Sequence, residues 1–563
     1  MRIRTFVFVV ATATAAPALA GDDKTNWTGF FLGGHLGMLT STTNFVDPNG
    51  PPIYGGSVTA GGVLAGFQAG YNRQVAPQWV LGIEGEYSFL GGSGSNTCLQ
   101  PSTTVTGSNC KIQPRELASL AGRVGFLTRP QGSTMLFGKA GVSWLRATAS
   151  INPNAVSTLD QGFIDDGIAF SDDPSEPAAT GGSIGAFGPT IGAGVEYAFS
   201  PRWSLKFEYD YHHFSGMSLA APQVTDITTT GVVTNLGSGG SASISQNLHI
   251  AKLGLNYRFG GPAKDTSSAN APAAAASESG EPPFVPGWEF DAGTRFWYSS
   301  GRYQNQNGTP NQLVSRLTYR DVIGQSGELF ARADAPFGVF VKGFVGGGGL
   351  GRGKMYDEDW GLASALASVP TGFEVTESDV NGTIHYITGD LGYNVLRGRD
   401  HKVGVFAGYN RYETTMNAMG CTQLVANASG VCAPPIAGTT TTISQNDAWQ
   451  SIRLGVSAEA TLWDRLKIAG DVAWLPYVKY DGLDIHRLRN LFFPIQGTGK
   501  GVQAELILTY MATEKFGIGI GGRYWSMWTH YAAQTTDQAN VFEVETDRYG
   551  VFLQASYRFT AGR

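Results

Sequence analysis

Apolar and polar residues alternate one for one along most of this chain, the period of a β-strand whose two faces meet different surroundings. In "WSLKFEYDYHHF", Trp203, Leu205, Phe207, Tyr209 and Tyr211 share one face, and Ser204, Lys206, Glu208 and Asp210 share the other. "SIRLGVSAEATLW" sets Ile452, Leu454, Val456, Ala458 and Ala460 opposite Arg453, Ser457 and Glu459, and "VFLQASYRF" sets Val551, Leu553, Ala555, Tyr557 and Phe559 against Gln554, Ser556 and Arg558. A soluble sandwich alternates in the same way, so context decides. Strands of about ten residues or more, aromatics at strand ends and short turns alternating with long polar loops fit a transmembrane β-barrel. Only a closed barrel satisfies every backbone group of such strands in hydrocarbon.

The strands fall into two groups. About eight lie between residues 26 and 260, and about ten between 287 and 559, separated by "GGPAKDTSSANAPAAAASESGEPPFVPG", which has nothing to pack. Each group closes on the same signature, Tyr257-Arg258-Phe259 and Tyr557-Arg558-Phe559. An even strand count also returns both ends of each barrel to the periplasmic side, where a linker joins them. The predicted fold is therefore all-β, with two transmembrane antiparallel barrels in one chain. A single porin-like barrel of roughly 18 strands is the rival arrangement.

The remaining features place the chain in a cell. Arg2 and Arg4 precede an apolar run ending in Ala18-Leu19-Ala20, the pattern of a cleaved secretory signal. The expected organisation is a signal over 1–20, an eight-stranded barrel over 21–260, a disordered linker over 261–286 and a ten-stranded barrel over 287–563. Beyond the signal no apolar run approaches the ~20 residues of a membrane helix. Charged residues are only 15% of the chain and the net charge is −6, which gives no support to a nucleic-acid partner. Cys98 with Cys110 and Cys421 with Cys432 form two local pairs in polar loops, expected as disulfides of an oxidising compartment.

The first barrel resembles the outer-membrane immunogenic-protein family, which is OmpA-like in fold. The resemblance rests on "NWTGFFLGGHLG", "GFQAGYN", "IEGEYSF", "GRVGF", "FGKAGVSW" and "LGLNYRFG". These motifs are architectural. Glu84, Glu86, Glu208 and Asp210 with Lys206 and Arg123 are expected to form an interior network, since barrels this narrow are filled by their own side chains. His212 and His213 are adjacent, point to opposite faces and make no metal site.

The second half carries candidate chemistry. Its third strand ends at "KMYDEDW" and its seventh at "DGLDIH". If the first strand leaves the periplasm, both motifs reach the extracellular rim on nearly opposite sides of a ring of ten. Asp357 and Asp359 are spaced to share one face, as are Asp484 and His486. A carboxylate beside an imidazole orients a general base, and a facing aspartate pair can hold the water it activates. Two like charges so close should also raise one aspartate's pKa. No zinc-binding "HExxH" occurs, and the run Gly346 to Gly349 lacks the lysine and helix of a phosphate loop.

These residues resemble the omptin family of outer-membrane proteases, ten-stranded barrels with an aspartate pair facing an aspartate-histidine pair. "VSRLTYR" and "GVFAGYN" add to the likeness, which spans roughly residues 287 to 560. The resemblance implies an endopeptidase without covalent intermediate or metal, acting on peptides or proteins outside a Gram-negative cell. It also implies outer-membrane lipid as a partner, with lipopolysaccharide required. The chain departs from the family at Gly482, where omptins carry an acid that reads a basic substrate residue. Asp481, one residue before Gly482, is the acid expected to substitute there, and Glu377 in "VTESD" to supply acidity to the neighbouring subsite. For lipid, Tyr409 matches the family's alternating Tyr-acid-Arg set, but Arg411 and Glu413 exchange the charges. A non-enzymatic structural, adhesin or porin-like outer-membrane protein is the alternative reading.

Overall fold

A computed structural model describes residues 25–46, 56–98, 108–128, 132–152, 179–222, 225–227, 233–235, 240–259, 286–308, 313–360, 373–398, 400–425, 432–463, 465–534 and 541–561. The signal and most of the linker lie outside the described residues.

Two separate rings account for the strands. The first is walled by β1 (Gly29–Val46), β2 (Ser57–Ala76), β3 (Trp79–Leu90), β5 (Ser108–Leu127), β6 (Thr134–Asn152), β7 (Thr180–Ala198), β8 (Trp203–Ala220) and β11 (Ser241–Arg258). A β3–β5 pairing closes it, and the short β4 (Gly94–Cys98) extends β5 as a hairpin above the wall. Two short strands, β9 (Thr225–Ile227) and β10 (Val233–Asn235), pair with each other.

The second ring is a closed barrel of β12 (Trp288–Gly308), β13 (Leu313–Asp334), β14 (Val339–Trp360), β15 (Phe373–Arg397), β16 (His401–Val425), β17 (Ile436–Trp463), β18 (Leu466–His486), β19 (Leu491–Met511), β20 (Phe516–Gln534) and β21 (Val541–Ala561). Each closing signature pairs with the first strand of its own ring, Tyr257 with Leu32 and Tyr557 with Ala292. The single large porin is thereby excluded. Both expected disulfides, Cys98–Cys110 and Cys421–Cys432, are formed.

Alternation becomes an inside and an outside. Phe30, Leu32, Leu36, Phe67, Ile191, Val341, Val345, Leu391, Val405 and Leu553 are exposed on the walls, where lipid covers them. Inside the first ring Lys139, Lys206 and Lys252 interleave with Glu84, Glu86, Glu208 and Asp210, with ion-pair distances from 2.7 to 3.6 Å. Arg123 bridges Glu84 at 2.9 Å and Glu196 at 2.6 Å. A buried charge is tolerable only when paired in this way. His212 is buried inside, while His213 bonds Asn247 on the wall. The second lumen is blocked midway by Trp297, Phe344, Tyr386, Trp525 and Phe552 around Arg523, which Glu328 and Glu505 each bind at 2.6 Å.

The barrels touch at both ends, tops together. Near the periplasmic turns the Tyr197 hydroxyl meets His401 Nδ1 at 3.1 Å, and Val195, Leu205, Phe207 and Leu253 face Ala460, Ile468, Val472 and Leu506 across an apolar crevice. At the extracellular end the β4–β5 hairpin lies on the outer wall of the second ring, where Lys111 Nζ is 3.9 Å from Glu543 Oε2.

Candidate active site

The two motif strands each change face once on the way to the rim. On β14 the even positions Phe340 and Leu350 are buried in the lumen while Val341 and Val345 face out; above Arg352 the odd position Met355 is the lumen residue. Between Gly351 and Gly353, β14 has one residue more than β15, and Arg352 there takes φ 57°. On β18 Ala473 and Leu475 point inward, and above an extra residue between Leu475 and Val478 the inward set becomes Val478 and Tyr480. Such bulges reverse which side chains a strand shows to each face. They turn Asp357, Asp359, Asp484 and His486 toward the lumen, beyond the outward apolar positions Val345, Trp474 and Tyr477.

Asp484 Oδ2 lies 3.2 Å from His486 Nε2, and Phe493 stands edge-on to the imidazole at 5.3 Å. Asp484 Oδ1 has no hydrogen-bond partner among the described residues. Asp357 pairs in register with Leu317 and Thr376, and Asp359 with Ser315 and Glu374. Glu374 therefore adds a third carboxylate beside the aspartate pair, one that sequence reasoning missed because the register of β15 against β14 is not visible in the chain.

The charges of the two pairs reach each other across the cleft. Burial first, then the neighbouring charge of Asp359, pushes the Asp357 carboxyl well above the usual range, against the opposing pull of His486. Burial and Glu374 push Asp359 up to about 6. Burial works to lower the His486 pKa, but the hydrogen bond and charge of Asp484 and the charge of Asp357 outweigh it and leave the imidazole raised. The Asp357–Asp359 pair is thus held above the ordinary aspartate range, opposite an imidazole whose pKa is raised.

Below the four residues the floor is aromatic and acidic. Tyr480 donates to Asp447 Oδ1 at 2.6 Å and meets the Tyr303 hydroxyl at 2.8 Å; Gln445 Nε2 donates to Asp447 at 2.8 Å, and Trp449 packs on Tyr480 with centroids 4.4 Å apart. Asp447 is the register partner of Gly482. A Cβ at Gly482 would sit 2.1 Å from the Tyr480 hydroxyl. Position 482 is closed to a side chain, and a carboxylate stands beside it on the neighbouring strand.

Asp481 and Glu377, the acids expected to read substrate, stand instead on the outer wall. Parity is the reason: Asp481 is out of phase with Asp484 and accepts from Lys479 at 2.7 Å, and Glu377 pairs in register with Tyr356 and accepts from Lys354 at 2.8 Å. Tyr409 and Arg411 are also on the outer wall, where Tyr409 is exposed and donates to Gln450 at 3.1 Å and Arg411 donates to Glu413 at 2.8 Å.

Two closed rings with apolar outer walls define an outer-membrane β-barrel protein of a Gram-negative bacterium, and residues 6–259 match the family described as outer membrane protein beta-barrel domain. More particularly, the chain is similar to the 31 kDa outer-membrane immunogenic proteins of Brucella melitensis and Brucella suis, 26% identical over 259 residues, covering 45% of this chain and 91% of those proteins. Among solved structures it is similar to the outer membrane protease OmpT from Escherichia coli, with 14% identity, a TM-score of 0.40, and coverage of 48% of this chain and 97% of that one. It is also similar to Ail, the attachment invasion locus protein of Yersinia pestis, with 13% identity, a TM-score of 0.19, and coverage of 41% and 99%. Nothing about activity follows from likenesses at that level.

Proposed function

We propose that the rim of the second barrel is an endopeptidase site that hydrolyses peptide bonds outside the cell with an activated water. The carrying observation is the Asp484–His486 contact at 3.2 Å on β18, with both side chains turned toward the same lumen as Asp357 and Asp359 on β14. Asp484 orients His486, His486 takes a proton from water, and Asp357 with Asp359 positions that water. The resulting hydroxide adds to the scissile carbonyl carbon, the C–N bond breaks, and the imidazolium returns its proton to the leaving amine. Asp447 and Glu374 take the substrate-reading parts first considered for Asp481 and Glu377. The outward placement of Tyr409 and Arg411 suits contact with lipopolysaccharide, which belongs in any assay.

The test is cleavage of a fluorogenic peptide library by the refolded full chain with lipopolysaccharide, comparing the parent with His486→Ala and Asp357→Asn. Hydrolysis lost in both variants supports the reading. A correctly folded parent that cleaves nothing overturns it and leaves a structural or adhesive surface protein.

A further inference from the structure

The outer wall behind the aspartate pair is unusual for a barrel rim. Between the inward Asp357 and Asp359, Glu358 points outward, and on the next strand Arg316 meets it with Nε 2.7 Å from Oε2. Both side chains are fully buried, although a rim charge pair ordinarily stands in water. The first barrel covers them. The Thr97 hydroxyl bonds both Glu358 and Arg316, and Asn109 Oδ1 accepts from Arg316 Nη1 at 2.8 Å. Arg316 also lies over the Trp360 ring at 5.3 Å. A desolvated ion pair depends on such added partners, because the two charges alone do not satisfy each other's remaining donors and acceptors.

The covering element is itself braced. Thr97 and Asn109 are direct register partners across β4–β5, and the neighbouring Cys98–Cys110 disulfide staples the same hairpin. A separate contact tightens the same interface: a Cβ on Gly61 of β2 would lie 2.3 Å from the Tyr524 hydroxyl and 3.1 Å from Asp547 Oδ1 on the outer wall of the second barrel. Arg302 Nη2 further reaches the Ser95 carbonyl at 3.4 Å.

We infer that the first barrel is an intramolecular clamp for the second, its disulfide-braced β4–β5 hairpin gripping the Arg316–Glu358 pair and thereby fixing β13 and β14, the strands that hold Asp357 and Asp359 in place. Thr97 and Asn109 are positioning residues; they touch no reacting atom. The grip stands on contacts alone, and its consequence for turnover rests on the endopeptidase reading.

Two measurements on the refolded full chain test the clamp without using activity. A zero-length carbodiimide activates the Glu543 carboxylate and the Lys111 amine displaces the activating group as a urea, so an amide forms where the two lie in contact. The linked peptides are expected by mass spectrometry in the parent and not in Lys111→Met; a parent that forms no such link overturns the docking. Hydrogen exchange is then compared between the parent and Thr97→Ala/Asn109→Ala. Amides of residues 353–360 are expected to exchange about tenfold faster in the variant, with β18 unchanged. Equal exchange in both proteins overturns the clamp. Where the parent cleaves peptide, the variant is expected to lose about tenfold in kcat at unchanged KM, and Thr97→Ser to restore the rate. A parent that cleaves nothing sinks the endopeptidase reading alone, and the exchange experiment still decides the clamp.

Discussion

The two barrels each hold a cluster of four carboxylates, in opposite electrostatic conditions. In the first, Glu84, Glu86, Glu208 and Asp210 are threaded by Lys139, Lys206 and Lys252, and the sum of charges is nearly cancelled. At the rim of the second, Asp357, Asp359, Glu374 and Asp484 face His486, with Arg489 further off. The supply of cations distinguishes them. Carboxylates given fixed cations become a frame, and carboxylates that instead face an imidazole are free to change protonation, as the proposed hydrolysis requires.

The largest effect that would sharpen this contrast is on turnover. His486→Ala should lower kcat/KM by about a thousandfold while leaving the unfolding of either barrel unchanged, as loss of a general base requires. An equally large loss from Lys206→Met would break the comparison. That substitution leaves Glu84, Glu86 and Glu208 short of a buried partner and should cost ~3–5 kcal/mol in denaturant unfolding of the first barrel, with peptide cleavage retained.

Smaller is the effect of pH. His486 must be neutral to accept a proton, and its pKa is raised from 6.5, so cleavage should rise with pH through a midpoint above that value. Asp484→Asn removes the main raising influence and should move the midpoint down; an unmoved acid limb would assign it to another group. Smallest are the outer-wall acids. Asp481→Asn and Glu377→Gln should change kcat/KM by less than about twofold, whereas Glu374→Gln should change it more, as expected for groups outside and inside the cleft. A reversed order would return substrate reading to the wall.

The period-two pattern made both barrels, their strand groups and the lumen-facing set Ser204, Lys206, Glu208 and Asp210 legible in the sequence. The cysteine pairs were legible because each closes a local loop. Pairing within each motif, Asp357 with Asp359 and Asp484 with His486, follows from spacing alone. Glu374, Asp447 and the Arg316–Glu358 pair were hidden, because each acquires its meaning from a partner on another strand or in the other barrel. Asp481 adjoins the expected position 482 and Glu377 lies in the acidic segment "VTESD", but one step of strand parity places both on the outer wall.

The extra residue at Arg352 makes the site behave like text in a reading frame. Removing that residue alone would only straighten β14: Gly351 and Gly353 already pair with the consecutive residues Asn381 and Val380, so every letter above would keep its partner and Asp357 and Asp359 would still face the lumen. Removing one residue between Gly353 and Tyr356 instead, with the bulge kept, would shift the frame, bring Tyr356, Glu358 and Trp360 to the lumen and turn Asp357 and Asp359 to the wall. A chain related to this one can therefore keep "YDEDW" whole and lose the site by a single deletion just below it.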